Sequence, residues 1–395
     1  MNLGARFDLA RGKDLTLGVL MERLAAIHGD RPLVTEAESG RVRTFRQAAA
    51  DVDRWAGAIH ALTEPGDRVV LATGNTYDQF LLVLAVARAG RLPAPVNSQM
   101  APAEIEHVIQ DSGASLVLAS AEELDVDTPL GRAEPAAPGD IAALFYTSGT
   151  TGKPKGAELT HRGLFGGMPL TSLIPRRTHR DELVAALPVA HIYGFTLVIG
   201  AACAGMPVYF LQKFNPVKVL DAIETRRTSI FAGVPAMYRM LMEAGAEARD
   251  LSCVRMWISG ADAMPQELSQ QFKKLGASVR LPVVGSVGEA TFAEGYGMVE
   301  TGGGVAMRIS PPLVSGGLGG SMGLPLPGNK FKVVDPDGNE VPVGSVGELL
   351  LSGPSILKGY HGSPEASAAA LTAAGWLRTG DMARRGPLGS VSFEG

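Results

Sequence analysis

The stretch Leu144-Phe-Tyr-Thr-Ser-Gly-Thr-Thr-Gly-Lys-Pro-Lys-Gly156 concentrates phosphate-binding chemistry in one part of the 395-residue chain. An apolar, strand-like run breaks into Thr147, Ser148, Gly149, Thr150, Thr151, Gly152, Lys153 and Lys155. Glycine lets the backbone approach an anion closely, exposed N–H groups point at its oxygens, and hydroxyls donate further hydrogen bonds. Lys153 and Lys155 supply compensating charge. A Walker A loop is excluded. That motif needs Gly-x4-Gly-Lys-Ser/Thr opening a helix, whereas Gly149 and Gly152 are too close and Pro154 follows Lys153. Any six such residues fit an ordinary surface turn, but the whole block Tyr146 to Gly156 favours polyphosphate.

Five more blocks follow in the sequence: Leu187-Pro-Val-Ala-His-Ile-Tyr-Gly194, Gly233-Val-Pro235, Ser259-Gly-Ala-Asp262, Glu294-Gly-Tyr-Gly-Met-Val-Glu300 and Gly375-Trp-Leu-Arg-Thr-Gly-Asp381. Glu300 suits magnesium, which prefers one or two carboxylates together with phosphate oxygens. Tyr296 is a flat amphipathic ring suited to stacking on a base. Taken alone, Glu300 reads as a solvated glutamate, Tyr296 as a core tyrosine, Asp381 as a turn residue and His191 as a satisfied core histidine. All six blocks, in this order over residues 144–381, resemble the adenylate-forming superfamily of acyl-CoA synthetases, peptide-synthetase adenylation domains and luciferases. Upstream of the phosphate loop the chain shares only the family's general character.

The resemblance implies ATP-dependent activation of a carboxylate with release of pyrophosphate, Mg2+ as the metal, and coenzyme A as co-substrate. It implies that the loop from Thr147 to Lys155, together with Gly260, Ala261, Asp262, Glu294, Gly295, Tyr296, Gly297, Met298, Val299 and Asp381, binds the nucleotide, with Asp381 on the ribose hydroxyls. Thr147 and Glu300 would neighbour the metal. Thr147, Lys155, His191 and Glu300 would act in catalysis, and His191, Gly194, Gly233, Val234 and Pro235 would line the acyl site. Amino-acid-activating relatives place an Asp just after the segment matching Pro188–Ala190, and Ala190-His191-Ile192 offers no carboxylate. A substrate without a free α-amino group is therefore favoured, and a fatty acid is the expectation. Gly194, Gly200, Ala201, Ala202 and Gly205 leave room for an acyl chain, although small residues also serve helix packing. A fatty-acyl-AMP ligase that hands its product to a carrier protein uses the same residues. A nucleotide- and acyl-binding module without turnover is the rival from another class.

Two departures from the family pattern feed that rival. Val299 stands where the family usually has Thr, which removes a donor near the α-phosphate. The chain also stops at Ser392-Phe-Glu-Gly395, before the hinge and small C-terminal domain that the resemblance implies, so a large domain alone, poorly active by itself, is expected.

These groups need elements to hold them. Helix-like segments (Leu17 to His28, Phe80 to Ala89, Pro216 to Arg226, Pro235 to Ala244) alternate with strand-like ones (Arg68 to Ala72, Ala114 to Ala119, Ser229 to Gly233, Val254 to Ser259). Such alternation implies an α/β fold with parallel sheets. Strand ends at Tyr146-Thr147 and Ser259-Gly260 run into glycine-rich turns, where open α/β sheets bind ligands. Beyond the flexible run Ser315–Ser321, Lys330–Val334, the turn Asp335-Pro-Asp-Gly338 and Val346–Leu351 read as a β-rich unit. The expected division is paired α/β subdomains over 1–310 and a small β-barrel subdomain over 311–395. Glu134–Gly139 reads as a second linker.

Hydrophobic content of 46% with 19% charged residues is a globular composition. A net charge of −4 argues against a general nucleic-acid binder. No Asp, Glu, Lys or Arg occurs from Leu183 to Gln212, but Pro188, Gly194, Gly200, Gly205 and Pro207 interrupt the run, so a buried helix and strand explain it better than a membrane span. Cys203 and Cys253 read as buried thiols in a reducing, cytoplasmic setting. The N-terminus has no apolar core of a secretory signal. Pro175-Arg-Arg-Thr-His-Arg180 is a basic cluster read first as a solvated loop, with anionic lipid or coenzyme A phosphates as alternatives. Peripheral membrane contact and a homodimer stay open.

Overall fold

Strand segments that are apolar at successive positions require cover on both faces, and the chain supplies it. The computed structural model describes residues 3–97, 99–124, 128–147, 153–174, 181–281, 285–314 and 322–394. Its largest sheet runs in the order Leu324–Pro325, Gly303–Ser310, Thr291–Met298, Met256–Gly260, Ile230–Gly233, Leu183–Ala185, Val208–Phe210, Pro32–Glu36, Val42–Thr44. From Thr291–Met298 through Pro32–Glu36 every neighbouring pair is parallel. The outer strands are antiparallel. Alternate side chains enter different cores. Phe231, Trp257 and Phe292 join Tyr238 and Phe272 in an edge-to-face aromatic cluster, while Ala232 and Ile258 face the core that holds Phe195. Each fully buried aromatic of this kind stabilises by about 1.5–3 kcal/mol.

Local signals set the helix ends. Asn215 caps Pro216–Arg226 by accepting from the Lys218 N–H at 3.0 Å, and Pro216 fills the first helical position. The uncharged stretch divides into strand Leu183–Ala185, helix Ile192–Ala204 and strand Val208–Phe210. Among the described residues no helix is long and apolar enough to cross a membrane. Cys203 is buried, which pushes its thiol up to about 12, whereas Cys253 is only half-buried and sits 3.4 Å from the Ile223 carbonyl.

Smaller sheets flank this one. Leu92–Pro95, Arg68–Leu71 and Leu116–Leu118 form a parallel trio. Ile141–Thr147 pairs with Lys155–Thr160 as an antiparallel hairpin. The strand end at Tyr146-Thr147 therefore belongs to a hairpin and not to the open parallel sheet. The reason is local: Thr147 faces Lys155 and Tyr146 faces Gly156 across the turn. Lys330–Val334, Val346–Ser352, Leu377–Arg385 and Val391–Phe393 form a curled antiparallel sheet. Its Val333, Leu349, Leu351, Leu377, Ala383 and Val391 enter the same core as Phe195, which fixes this sheet against the body. The run Ser315–Ser321 lies outside the described residues.

Candidate active site

Sheet register brings three of the sequence blocks together. Gly233 lies beside Ser259, Ser259 beside Glu294, and Gly260 beside Gly295, with Gly233, Ser259 and Gly260 at the carboxyl ends of their parallel strands. Ligands bind at that edge in open α/β sheets. Ala261 turns the chain there in the left-handed region, with φ 69°, a conformation that costs a non-glycine residue about 1–3 kcal/mol. Asp262 accepts from the Ala263 N–H at 2.7 Å and is exposed.

Tyr193 floors this edge. Its hydroxyl donates toward Gly233 O at 3.3 Å and lies 3.5 Å from Ile258 O. A Cβ at Gly260 would sit 3.3 Å from the Tyr193 ring, and one at Gly233 would sit 3.0 Å from the Phe231 ring. Val234 precedes Pro235, which starts the helix Pro235–Glu243. His191 stands at the start of Ile192–Ala204, where its Nδ1 accepts from the Tyr193 N–H at 3.3 Å. Protein atoms crowd the His191 ring and lower its pKa, while its outer edge stays open to solvent.

The room expected along this helix is filled. A Cβ at Gly194 would lie 2.2 Å from Pro188 O, one at Gly200 2.8 Å from Met168 Sδ, and one at Gly205 2.3 Å from the His28 ring. These glycines admit neighbouring protein atoms, so packing accounts for them.

The antiparallel neighbour Gly303–Ser310 shapes the other side of this edge. Arg308 donates from Nε to Glu294 Oε1 at 3.0 Å and from Nη2 at 2.5 Å. Burial raises the Glu294 pKa, and Arg308 works against that shift. A register shift falls between Tyr296 and Gly297, where a Cβ at Gly297 would sit 2.1 Å from Gly303 O. Tyr296 donates to Asp381 Oδ2 at 2.5 Å and meets Phe393 edge-on at 5.6 Å. Burial first, and then Asp381, push the Tyr296 phenol upward, so it stays a neutral donor. Asp381 is set by its own N–H donating to Thr379 Oγ1 at 3.0 Å, while that hydroxyl donates to Leu349 O at 2.8 Å.

After Met298 the chain enters a tight turn, Val299–Thr301, that packs against both strands of the phosphate-loop hairpin. Glu300 projects from this turn. Tyr360 donates to Glu300 Oε1 at 2.7 Å, and the Lys155 ammonium stands 5.4 Å from the centre of the Tyr360 ring. Beside them His361 Nδ1 lies 3.0 Å from Glu158 Oε1. His107 Nε2 lies 2.8 Å from Pro154 O at the base of the loop. Ser148, Gly149, Thr150, Thr151 and Gly152 lie outside the described residues, as does Pro175–Arg180; Lys153 is exposed. The donor set fits Mg2+: a carboxylate from Glu300 and a hydroxyl from Thr147 are hard oxygen ligands. Among the described residues no cluster of three or more His, Cys, Asp or Glu forms a protein cage.

Sequence reasoning did not assign Tyr193, Arg308, Tyr360, His361, Glu158 or Phe393 to the site. Tyr193 sat inside a quoted block, and its hydroxyl was the available signal. Tyr360 carries no spacing signal, since it meets Glu300 only through the fold.

The AMP-binding enzyme family model matches residues 21–361. A feruloyl-CoA synthase from Amycolatopsis is 31% identical over 368 residues, covering 87% of this chain and 71% of that protein. The fatty acid–[acyl-carrier-protein] ligase ScoC of Streptomyces coeruleorubidus is 30% identical over 376 residues, covering 87% and 70%. Among solved structures, ATP-bound MatB from Rhodopseudomonas palustris superposes with a TM-score of 0.81 at 26% identity, covering 96% of this chain and 79% of that one.

Proposed function

Since the chain belongs to the AMP-binding enzyme family, we propose that it activates a carboxylic acid with ATP and passes the acyl group to coenzyme A. In the first step a carboxylate oxygen bonds to the α-phosphorus, and the bond to the pyrophosphate oxygen breaks. In the second, the coenzyme A thiolate attacks the acyl carbonyl and AMP leaves. The observation that carries this reading is the convergence of Tyr296–Asp381 and Glu300–Tyr360–Lys155 at the carboxyl edge of the parallel strands. The ATP-bound MatB neighbour supports the nucleotide assignment.

The chain's own groups have distinct tasks. Tyr296 and Asp381 hold the adenosine end, with Asp381 accepting from the ribose hydroxyls and Tyr296 fixing the carboxylate that does so. Lys155, with Thr147 and the loop, neutralises phosphate oxygens. Glu300 and Thr147 would hold Mg2+, which when bound spreads the charge of the polyphosphate. His191, neutral because its ring is crowded, and the edge formed by Gly233, Val234 and Pro235 receive the acid.

A fatty acid without an α-amino group is the proposed substrate. An aryl acid is the second reading, and Tyr193 favours it. The ring lies against Gly260 and its hydroxyl reaches Gly233 O, which sets an aromatic wall at the edge proposed to receive the acid. The feruloyl-CoA synthase relative is in keeping with this, while the acyl-carrier-protein ligase keeps a carrier acceptor in play. A reducing, cytoplasmic setting agrees with two free cysteines.

ATP–pyrophosphate exchange over fatty, aryl and amino acids tests the reading, followed by coenzyme A and acyl-carrier-protein as acceptors. Exchange with fatty or aryl acids is expected. ATP binding without exchange for any acid would instead identify a binding module. Glu300→Gln keeps shape and removes charge. It is expected to lower exchange by orders of magnitude, a few kcal/mol of transition-state stabilisation, with AMP binding retained. An unchanged rate at limiting Mg2+ removes Glu300 from the metal site.

A further inference from the structure

Five apolar side chains stand open to water on two elements that are clamped together. Leu3 and Phe7, one turn apart on the helix Leu3–Arg11, are 60% and 53% exposed. Leu170, Leu173 and Ile174, on the segment Met168–Leu173 and its cap, are 51%, 36% and 58% exposed. Arg6 lies beneath and locks the two elements together. Its Nε donates to Ser172 O at 2.6 Å, its Nη2 to Ile174 O at 3.2 Å, and Ser172 Oγ donates back to Arg6 O at 3.0 Å. Single exposed apolar residues need no explanation, but several on one rigid surface do.

Beside them opens a cavity of about 180 Å³ whose lining includes Arg11, Arg162, Ala10, Phe165, Pro169 and Leu170. Neither the Arg11 nor the Arg162 guanidinium has a hydrogen-bond or ion-pair partner among the described residues. Lys13 and Arg23 add positive charge at the end of the helix, where Arg23 holds the Lys13 and Asp14 carbonyls. The acidic side chains on these segments are Asp8, Asp14 and Glu22, the last of which pairs with Arg88.

From this juxtaposition we infer that the face docks on the surface of an anionic phospholipid bilayer. Leu3, Phe7, Leu170, Leu173 and Ile174 enter the boundary between headgroups and acyl chains, and a lipid phosphate seats between Arg11 and Arg162. Burying apolar surface and pairing the guanidiniums with phosphate act together, as interfacial binding requires. A second copy of the chain is the poorer occupant. A two-fold contact sets the same patch against itself and brings both Arg11–Arg162 pairs together unpaired. The inference goes beyond the proposed reaction and does not depend on which acid is activated.

Co-sedimentation tests it with vesicles of phosphatidylcholine and vesicles of equal parts phosphatidylcholine and phosphatidylglycerol. The parent protein is expected to pellet with the mixed vesicles at low salt and to be released by high salt. Arg11→Glu with Arg162→Glu is expected to weaken that partition by roughly five-fold for each unit of charge changed. Phe7→Ser with Leu170→Ser should lower it without altering its salt sensitivity. All four positions are on the surface, so melting curves should match the parent. If the parent stays in the supernatant with mixed vesicles at low salt, or pellets equally with neutral ones, the inference is overturned. A dimer by sedimentation equilibrium that Phe7→Ser dissolves would overturn it in favour of a second copy.

Discussion

The Thr301 hydroxyl lies 2.6 Å from Gly303 O and accepts from the Met298 N–H at 3.0 Å, fully buried inside its own turn. It is committed to shaping the backbone that presents Glu300, so it is not available to a phosphate. That removes the nearest hydroxyl substitute for the Thr that the family resemblance places at position 299. Val299→Thr is therefore expected to raise kcat for adenylation, with an upper bound of about a thousand-fold, since one such donor is worth about 10²–10³ in rate. A kcat at or below that of the parent, with acid saturating, would mean that a backbone N–H already supplies the contact. Tyr360 acts on Glu300 in a different way. Its hydroxyl orients Oε1 at 2.7 Å and its ring faces Lys155. Tyr360→Phe keeps the ring and deletes a hydrogen bond to a charged group, worth about 1.5–3 kcal/mol. We expect the Mg2+ concentration for half-maximal exchange to rise roughly ten-fold while the KM for the acid holds. Tyr360→Leu should add a loss in ATP affinity. An unchanged Mg2+ dependence in Tyr360→Phe would leave Tyr360 as a packing residue only.

Glycine at an element boundary can serve either a ligand or a neighbour, and the distances separate the two at the helix Ile192–Ala204. At Gly194 an added Cβ meets the Pro188 carbonyl at 2.2 Å, a backbone atom that cannot turn aside. At Gly200 it meets the sulfur of Met168 at 2.8 Å, the far part of a flexible side chain. Gly194→Ala is thus expected to destabilise the fold by about 1–3 kcal/mol, and to displace His191 and Tyr193, while Gly200→Ala stays near parental stability. Urea titration of both variants checks this, and equal losses would contradict the distinction. The same contrast explains what the sequence could reveal. Pro216–Arg226 and Lys330–Val334 were legible because cap, proline, apolar period and turn all lie within a few residues of one another. The blocks around Tyr296 and Asp381 were legible through their resemblance to a family pattern, and the fold then joined them by one hydrogen bond. Not legible were pairings set by distant chain: Pro32–Glu36 beside Val208–Phe210, or Tyr360 on Glu300. The glycines of the uncharged stretch left two readings open because an absent side chain looks the same whether a substrate or Met168 fills the space.

At the scale of the whole molecule, the helix Leu17–His28 is tied to the body at both ends by histidines that must stay neutral. Thr16 precedes it without a side-chain capping bond, and the Leu17 N–H instead donates to Nδ1 of His161, 3.1 Å away. That distant ring satisfies one of the donors a helix start leaves open. At the other end His28 packs against Phe45, ring centres 4.6 Å apart, and would collide with any side chain at Gly205. Burial lowers the His161 pKa to about 4, with Asp140 opposing, and lowers that of His28 to about 4, helped by Arg31 and Arg6. In the unfolded chain both return to 6.5. Between those limits the unfolded state binds protons that the native state refuses, so stability rises with pH. The contribution is fully present above 6.5 and is lost as pH falls toward about 4, with a slope of up to about 1.4 kcal/mol per pH unit for each histidine. We expect denaturant midpoints to fall through this window and amide protons of Leu17–His28 to lose protection first. His161→Gln keeps an acceptor for the Leu17 N–H and removes the titration, so its stability should depend less steeply on pH than the parent's. A parental slope retained in His161→Gln and in His28→Gln would assign the acid sensitivity to groups other than these two rings.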